Sequence, residues 1–299
     1  MRLVTFASAG ADADTPAATR AGILDGDRVL PFVGADADLA AVVAAADLPG
    51  TTGPIPLADL RLRAPLARPG KIICVGLNYR DHCREQDVAE PAYPMLFAKF
   101  ANAVNDPGGS VVRPRATEKL DLECELAVVI GRRASRIGPN EAMAVVFGYT
   151  ILNDVTMRDL QREDRQWLRA KGSDGFAPTG PVIVTADELD ARRGLRMRSA
   201  VNGETWQDSS TDEMIFDVPT LVAFASRAIT LEPGDLIATG TPAGVGHFQD
   251  PPRYVQGGDV MRCELEGIGT LENPVVDETP RTDDHAAAAG VSELARVAR

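Results

Sequence analysis

At 299 residues, with 44% hydrophobic and 25% charged residues, the chain has room for one large domain and a smaller one, with the core-forming content of an ordinary globular protein. Its net charge of −12 and pI near 4.8, without a Lys/Arg-rich run, argue against nucleic acid or an anionic membrane as partner, because both need clustered cations. No apolar stretch approaches a membrane span and no charged-then-apolar leader opens the chain, so a cytoplasmic location is expected.

In chain order, residues 1–65 read as a small N-terminal domain. Residues 1–6 have the pattern of a strand, 22–32 of a hairpin turning at Asp25-Gly26, and 39–46 of a short helix. The Pro- and Gly-rich stretch 48–56 reads as a linker by composition. No chemistry-bearing pattern stands out here, so this unit is expected to pack against a second domain over residues 66–280.

The second unit opens on the apolar strand Lys71-Ile-Ile-Cys-Val-Gly76, followed by a short helical segment with His82 and Glu85 at i and i+3, on one face. A carboxylate beside an imidazole orients it and raises its basicity, as a water-activating base requires. A solvated surface pair has the same spacing. Among the three histidines, His82, His247 and His285, elimination makes His82 the candidate base. A strand then ends near Lys99, ahead of Asn102 and a Gly108-Gly109 turn. The four cysteines, Cys74, Cys83, Cys124 and Cys263, form no C-x-x-C pair and are expected as reduced thiols.

Residues 118–130 read as one strand, with Leu122, Cys124, Leu126, Val128 and Ile130 on an apolar face and Asp121, Glu123, Glu125, Ala127 and Val129 on the other. Neighbouring glutamates on one face repel each other unless the face is wet or a cation lies between them. A buried strand over 145–152 brings a third carboxylate, Asp154, to its end. Three hard oxygen donors suit Mg2+, Mn2+ or Ca2+ better than zinc. On spacing alone, the commoner outcome is a solvated strand face with Asp154 capping the next helix.

From about Thr156 a helix carries Arg158 and Gln161 at i and i+3, a guanidinium and an amide able to grip a carboxylate or carbonyl oxygen, or to form a plain polar face. Lys171, turned inward, would be a partner for a developing enolate or oxyanion. Asn202-Gly203 between alternating segments signals a type I′ hairpin, and 219–228 reads as a helix. The glycine-rich loop 240–246 matches neither phosphate-loop pattern, but its backbone N–H groups and the Thr241 hydroxyl can serve an oxyanion. Residues 281–299 form a polar, Ala-rich tail, expected to be loosely held, with one or two helical turns over 292–297.

Several of these segments recur together in one known family. Gly76-Leu-Asn-Tyr79 with Asp81-His82, Glu123-x-Glu125-Leu-Ala, Asn153-Asp154-Val-Thr, Arg158-Asp-x-Gln161, Ala170-Lys171, Val201-Asn-Gly-Glu204 and Gly240-Thr-Pro-x-Gly-Val-Gly246 follow one another in an order that resembles the fumarylacetoacetate hydrolase family, of the small bacterial acylpyruvase or 2-hydroxyhepta-2,4-diene-1,7-dioate isomerase type. The resemblance implies an α+β, strand-dominated fold, a mixed beta roll preceded by a small N-terminal domain, and a homodimer. It also implies that Glu123, Glu125 and Asp154 hold Mg2+ or Mn2+, with Ca2+ an option. His82 and Glu85 are the implied water-activating dyad on a mobile lid, and Lys171 the active-site lysine. Arg158, Gln161, Thr241, Gly240 and Tyr79 are the implied substrate-binding residues. Many members read Lys-Pro-Ser where this chain has Lys99-Phe100-Ala101, so a serine is missing, and either Asn102 replaces it or the pocket accepts a different substrate tail.

The activity implied is metal-dependent hydrolysis of a carbon–carbon bond in a 2,4-dioxo acid, an acylpyruvate or fumarylpyruvate-like substrate, with the His82–Glu85 pair activating water. The same metal chemistry supports decarboxylation or keto-enol isomerisation of oxaloacetate-like or 2-hydroxymuconate-like diacids in aromatic catabolism. The alternative from another class is a catalytically silent, metal-stabilised binding protein, which would bind a 2-oxo acid without forming product.

Overall fold

Alternation along residues 120–130 organises the molecule, but both faces are buried. In the computed structural model, which describes residues 1–10, 19–34, 39–45 and 48–279, Leu122, Cys124, Leu126, Val128 and Ile130 enter one apolar core and Ala127 and Val129 a second. Each of the Leu, Val and Ile side chains contributes about 1.5–3 kcal/mol when removed from water. The expected helical turns over 292–297, and the tail 281–299 as a whole, lie outside the described residues, as does Ala46.

The first elements are β1 (Arg2–Ser8), β2 (Arg20–Asp25), β3 (Arg28–Pro31), α1 (Leu39–Ala44), β4 (Ile55–Pro56) and β5 (Leu60–Arg63). Then come β6 (Ile72–Gly76), α2 (Arg80–Glu85), β7 (Met95–Lys99), β8 (Val104–Asn105), β9 (Val111–Arg113) and β10 (Leu120–Asp121). The central run is β11 (Cys124–Ile130), α3 (Pro139–Ala142), β12 (Val146–Asn153), β13 (Thr156–Met157), α4 (Arg158–Glu163), α5 (Leu168–Lys171) and β14 (Ala177–Thr185). The chain continues through β15 (Arg196–Val201), β16 (Glu204–Ser210), α6 (Val218–Ser226), β17 (Leu236–Ala238), β18 (Val260–Leu265) and β19 (Gly269–Asp277).

Twelve strands form one mixed sheet, ordered β4-β3-β2-β1-β14-β12-β11-β17-β6-β7, with β5 also on β1 and β8 on β14. Most neighbours are antiparallel, whereas β17 runs parallel to β6 and β8 parallel to β14. A second sheet, β16-β15-β18-β19-β9, shares the larger core through Met197, Met261, Cys263 and Leu271. The fold is strand-dominated, as expected. β1 pairs with β14 through Leu3↔Ile183, so the first residues of the chain complete the large sheet.

Three local expectations are corrected. The hairpin pairs Asp25 with Arg28, so its turn residues are Gly26-Asp27. The stretch read as a linker is tied down: Thr51 bridges Phe32, and β4 adds an edge to β3, where the proline at its end costs no ladder hydrogen bond. The strand read through 118–130 is broken at Leu122-Glu123, where β10 leaves to pair with β13 and β11 takes up the large sheet. The type I′ turn forms as read, with Asn202 at φ 51° and Gly203 at φ 82° between β15 and β16. All four cysteines are buried and unpaired. No helix among the described residues is long and apolar enough to cross a membrane.

Candidate active site

β11 and β12 are antiparallel partners, with Cys124 opposite Asn153, so Glu123 and Asp154 stand at the same end of adjacent strands and Glu125 lies just inside. One carboxylate oxygen from each of Glu123, Glu125 and Asp154 lies within 4.8 Å of the others, and all three residues are buried. Oxygens sharing one hard cation at about 2.0–2.6 Å stand no more than about twice that distance apart.

The donor set fits a divalent ion on two further observations. Asp154 Oδ1 is buried without a hydrogen bond, although Lys99 Nζ lies 2.6 Å away as an ion-pair partner. Glu125 accepts one hydrogen bond, from Gly240 N at 2.9 Å, while burial and the Asp154 and Glu123 carboxylates push its pKa well up. A cation among the three carboxylates is the compensation this cluster calls for.

Buried cations partly balance the acids. Lys171 Nζ donates to Glu123 Oε2 at 2.9 Å, Asp154 Oδ2 at 2.7 Å and Thr156 Oγ1 at 2.8 Å, which uses its three N–H bonds. Burial lowers its pKa, but Asp154 and Glu123 outweigh that and hold it above the ordinary lysine value. Arg158 gives Nε to Asp121 at 2.9 Å, Nη1 to Gln161 Oε1 at 3.1 Å, and lies 2.6 Å from Glu123 Oε1 through Nη2. Burial raises the Glu123 pKa, yet Lys171 and Arg158 reverse this and bring it well below the usual carboxylate range.

These groups face a cavity of about 460 Å3 lined by His82, Glu123, Glu125, Arg158, Gln161, Lys171 and Thr241, and by Arg162, Trp167, His247 and Phe248. His82 lies on α2 with Nδ1 2.5 Å from Glu85 Oε1. Pairing with the carboxylate assigns the proton to Nδ1 and leaves Nε2 as the acceptor. Glu85 stands behind the histidine, and its other oxygen accepts from Gly244 N at 2.8 Å. Further contacts fasten α2: Ser209 Oγ donates to Asp81 Oδ2 at 2.6 Å and Arg80 Nη1 to Met214 O at 2.6 Å.

Some residues picked from sequence are brought to the site in other roles. Gly240 does not offer its N–H to an oxyanion, because Glu125 accepts it. Only glycine fits there: φ is +94° and a Cβ would stand 2.9 Å from Val75 O. Thr241 lines the cavity, but its hydroxyl donates to Cys124 O at 3.1 Å and accepts from Gln207 Nε2 at 2.7 Å. Tyr79 is fully buried, its hydroxyl 3.2 Å from Met197 Sδ and 3.4 Å from Thr239 Oγ1, and it does not line the cavity. Its position is one of packing, not of substrate contact. Asn102 does not fill in for the missing serine, since its amide donates to Gly172 O at 3.0 Å and Asp174 Oδ1 at 2.6 Å, outside the cavity.

Sequence reasoning overlooked Lys99, Asp121, Gln207, Arg162 and His247. Asp121 was within reach, because it shares the alternating face of Glu123 and Glu125. Its oxygens accept from Gly246 N and His247 N at 2.9 and 3.0 Å besides Arg158. No local pattern announced Lys99, whose ammonium donates to the carbonyls of Val155, Phe176 and Lys171.

Residues 71–276 match the sequence profile described as fumarylacetoacetate (FAA) hydrolase, C-terminal. The chain is similar to the mitochondrial oxaloacetate tautomerases of Bos taurus and Homo sapiens, at 44% and 43% identity, each match covering 74% of this chain and 71% of the relative. It is also similar to the structure of a 5-carboxymethyl-2-hydroxymuconate delta-isomerase from Mycobacterium smegmatis, with TM-score 0.78 and 38% identity over 93% of this chain and all of that one. A fumarylacetoacetate hydrolase from Exiguobacterium antarcticum superposes with TM-score 0.82 at 40% identity, over 93% of this chain and 100% of that chain.

Proposed function

The chain belongs to the fumarylacetoacetate hydrolase family, and from that premise we propose that it is a divalent-metal-dependent keto-enol tautomerase or isomerase of 2-oxo diacids. The observation that carries this reading is the His82–Glu85 pair, whose imidazole lines the same cavity as Glu123 and Glu125 of the three converging carboxylates. The names of the relatives, oxaloacetate tautomerase and 5-carboxymethyl-2-hydroxymuconate delta-isomerase, support proton transfer next to a carbonyl over the hydrolysis implied by the sequence resemblance.

Glu123, Glu125 and Asp154 would hold Mg2+ or Mn2+. When bound, such an ion supplies Lewis-acid polarisation of a 2-oxo acid's carbonyl. His82 Nε2 takes the proton from the carbon next to that carbonyl. The C–H electron pair becomes the new C=C bond, negative charge moves to the carbonyl oxygen, and the proton held by the His82 imidazolium is returned to that oxygen to give the enol, leaving His82 neutral. The reverse path regenerates the keto acid. Glu85 holds the imidazole tautomer and stabilises its protonated form. Gln161 commits its Oε1 to Arg158, so its Nε2 remains to donate to a substrate oxygen. Four buried carboxylates (Asp121, Glu123, Glu125, Asp154) meet three buried cations (Lys99, Arg158, Lys171). With all of them ionised the acids exceed the cations by one charge, and a divalent ion reverses that sign, which suits an anionic substrate.

Carbon–carbon hydrolysis of an acylpyruvate is the second reading, supported by the likeness to the Exiguobacterium enzyme. A direct test follows oxaloacetate enol by ultraviolet absorbance, with Mg2+ or Mn2+, beside acylpyruvates assayed for released acid. The expected result is accelerated enol–keto exchange, reduced about 10²–10⁴-fold in His82→Ala. Acid release outpacing the exchange would sink the tautomerase reading.

A further inference from the structure

The cations deep in the cavity are committed to the protein itself: Lys171 to Glu123, Asp154 and Thr156, and Arg158 to Asp121, Glu123 and Gln161. Arg162 differs. It follows Arg158 by four residues and Gln161 by one on α4, so Arg158 and Arg162 lie on one helix face, and it lines the cavity while remaining exposed. Among the described residues it makes no ion pair or hydrogen bond. Other partly exposed lining residues, Gln86, Met95, Trp167 and Phe248, carry no charge. His247 is also there, and burial together with Arg158 keeps its pKa below the ordinary histidine value.

The cavity therefore has an acidic, cation-binding floor and a single unpaired guanidinium among uncharged partly exposed neighbours. A substrate whose 2-oxo acid end belongs to the floor turns its other end to the exposed part of the lining, where Arg162 is the charged side chain. A planar guanidinium with free N–H donors recognises a carboxylate by two parallel hydrogen bonds. We propose that Arg162, with the free amide of Gln161 beside it, is the subsite for the distal carboxylate of a diacid substrate. This rests on the reading of the site as one for 2-oxo acids, and it names the feature that selects diacids from monoacids of equal length. Because Arg162 is exposed, solvent screens the interaction, and a preference of about tenfold is expected.

The test is equilibrium binding, so that it does not depend on turnover. 3,3-Difluoro-oxaloacetate has no C–H to lose at the enolising carbon, and its 4-methyl ester replaces the distal charge with a methyl group. Calorimetric titration of the Mg2+-loaded protein is expected to show the diacid bound about tenfold tighter than the ester, about 1.4 kcal/mol. Arg162→Gln is expected to abolish that preference and leave the Kd of the ester unchanged, which also certifies an intact site. Arg133→Gln, the same charge change outside the cavity, is expected to keep the preference. Equal binding of the two ligands by the unmodified protein, or a preference that survives in Arg162→Gln, would overturn the subsite. A preference without enol–keto exchange would instead overturn the tautomerase reading and leave the subsite standing.

Discussion

Lys99 shows how much of the site depends on one buried side chain. Burial lowers its pKa, with Asp154 opposing, and its ammonium lies 2.6 Å from Asp154 Oδ1 among backbone carbonyls drawn from three separate positions. Lys99→Met would leave Asp154 with one ammonium fewer and strand the three carbonyls. Removing one member of a buried ion pair costs about 3–5 kcal/mol. Urea denaturation should register a loss of that order, and a cost under about 1 kcal/mol would mean the pair is effectively solvated. The residue escaped sequence reasoning for a physical reason: a lysine closing a strand reads as a solvated end, and the carbonyls of Val155, Lys171 and Phe176 that receive it are distant in the chain. Glu123, Glu125 and Asp154 were singled out by a period of two and a strand end, but spacing alone favoured a solvated face, and only the family resemblance joined them as one candidate metal set. Tyr79 was misread because a motif tells which residues recur together, not which face the ligand.

Among the elements, the loop over residues 241–248 joins the two halves of the site. Gly244 N holds Glu85 behind His82, while Gly246 N and His247 N hold Asp121, which in turn holds Arg158. Within it, His247 Nδ1 lies 2.8 Å from Tyr254 Oη, and burial with Arg158, Lys119 and Arg162 outweighs Asp121 to lower its pKa from 6.5. The unfolded chain therefore binds more protons than the native one between the lowered value and 6.5. Stability from this group is complete above 6.5 and is lost as pH falls towards the folded value. His247→Gln should flatten that slope. Urea midpoints across the interval check it, and an unchanged slope in the variant would assign the dependence elsewhere. Turn chemistry made the Asn202-Gly203 hairpin legible, since two successive positive φ values favour that pair. The edge strand β4 was hidden because two residues carry no periodicity, and the break between β10 and β11 because alternation continues across it.

At the scale of the whole molecule, the order of motifs made a strand-dominated architecture readable in advance. The depth of burial was not readable. An alternating Glu-x-Glu strand ordinarily keeps one wet face, whereas here the large sheet is covered on both sides and its acids sit inside. The same burial encloses every thiol, yet the four cysteines belong to different parts of the structure. Cys74, Cys124 and Cys263 lie within strands of the two sheets, whereas Cys83 lies on α2 beside His82. Alkylation followed by peptide mass spectrometry thus separates two kinds of motion. Label arriving at Cys83 ahead of the other three is the expected result, signalling that the helix swings clear while the sheets stay shut, and a bound diacid should slow it. Simultaneous labelling at all four would instead mean that the helix carrying His82 leaves the cavity only when the entire protein comes apart.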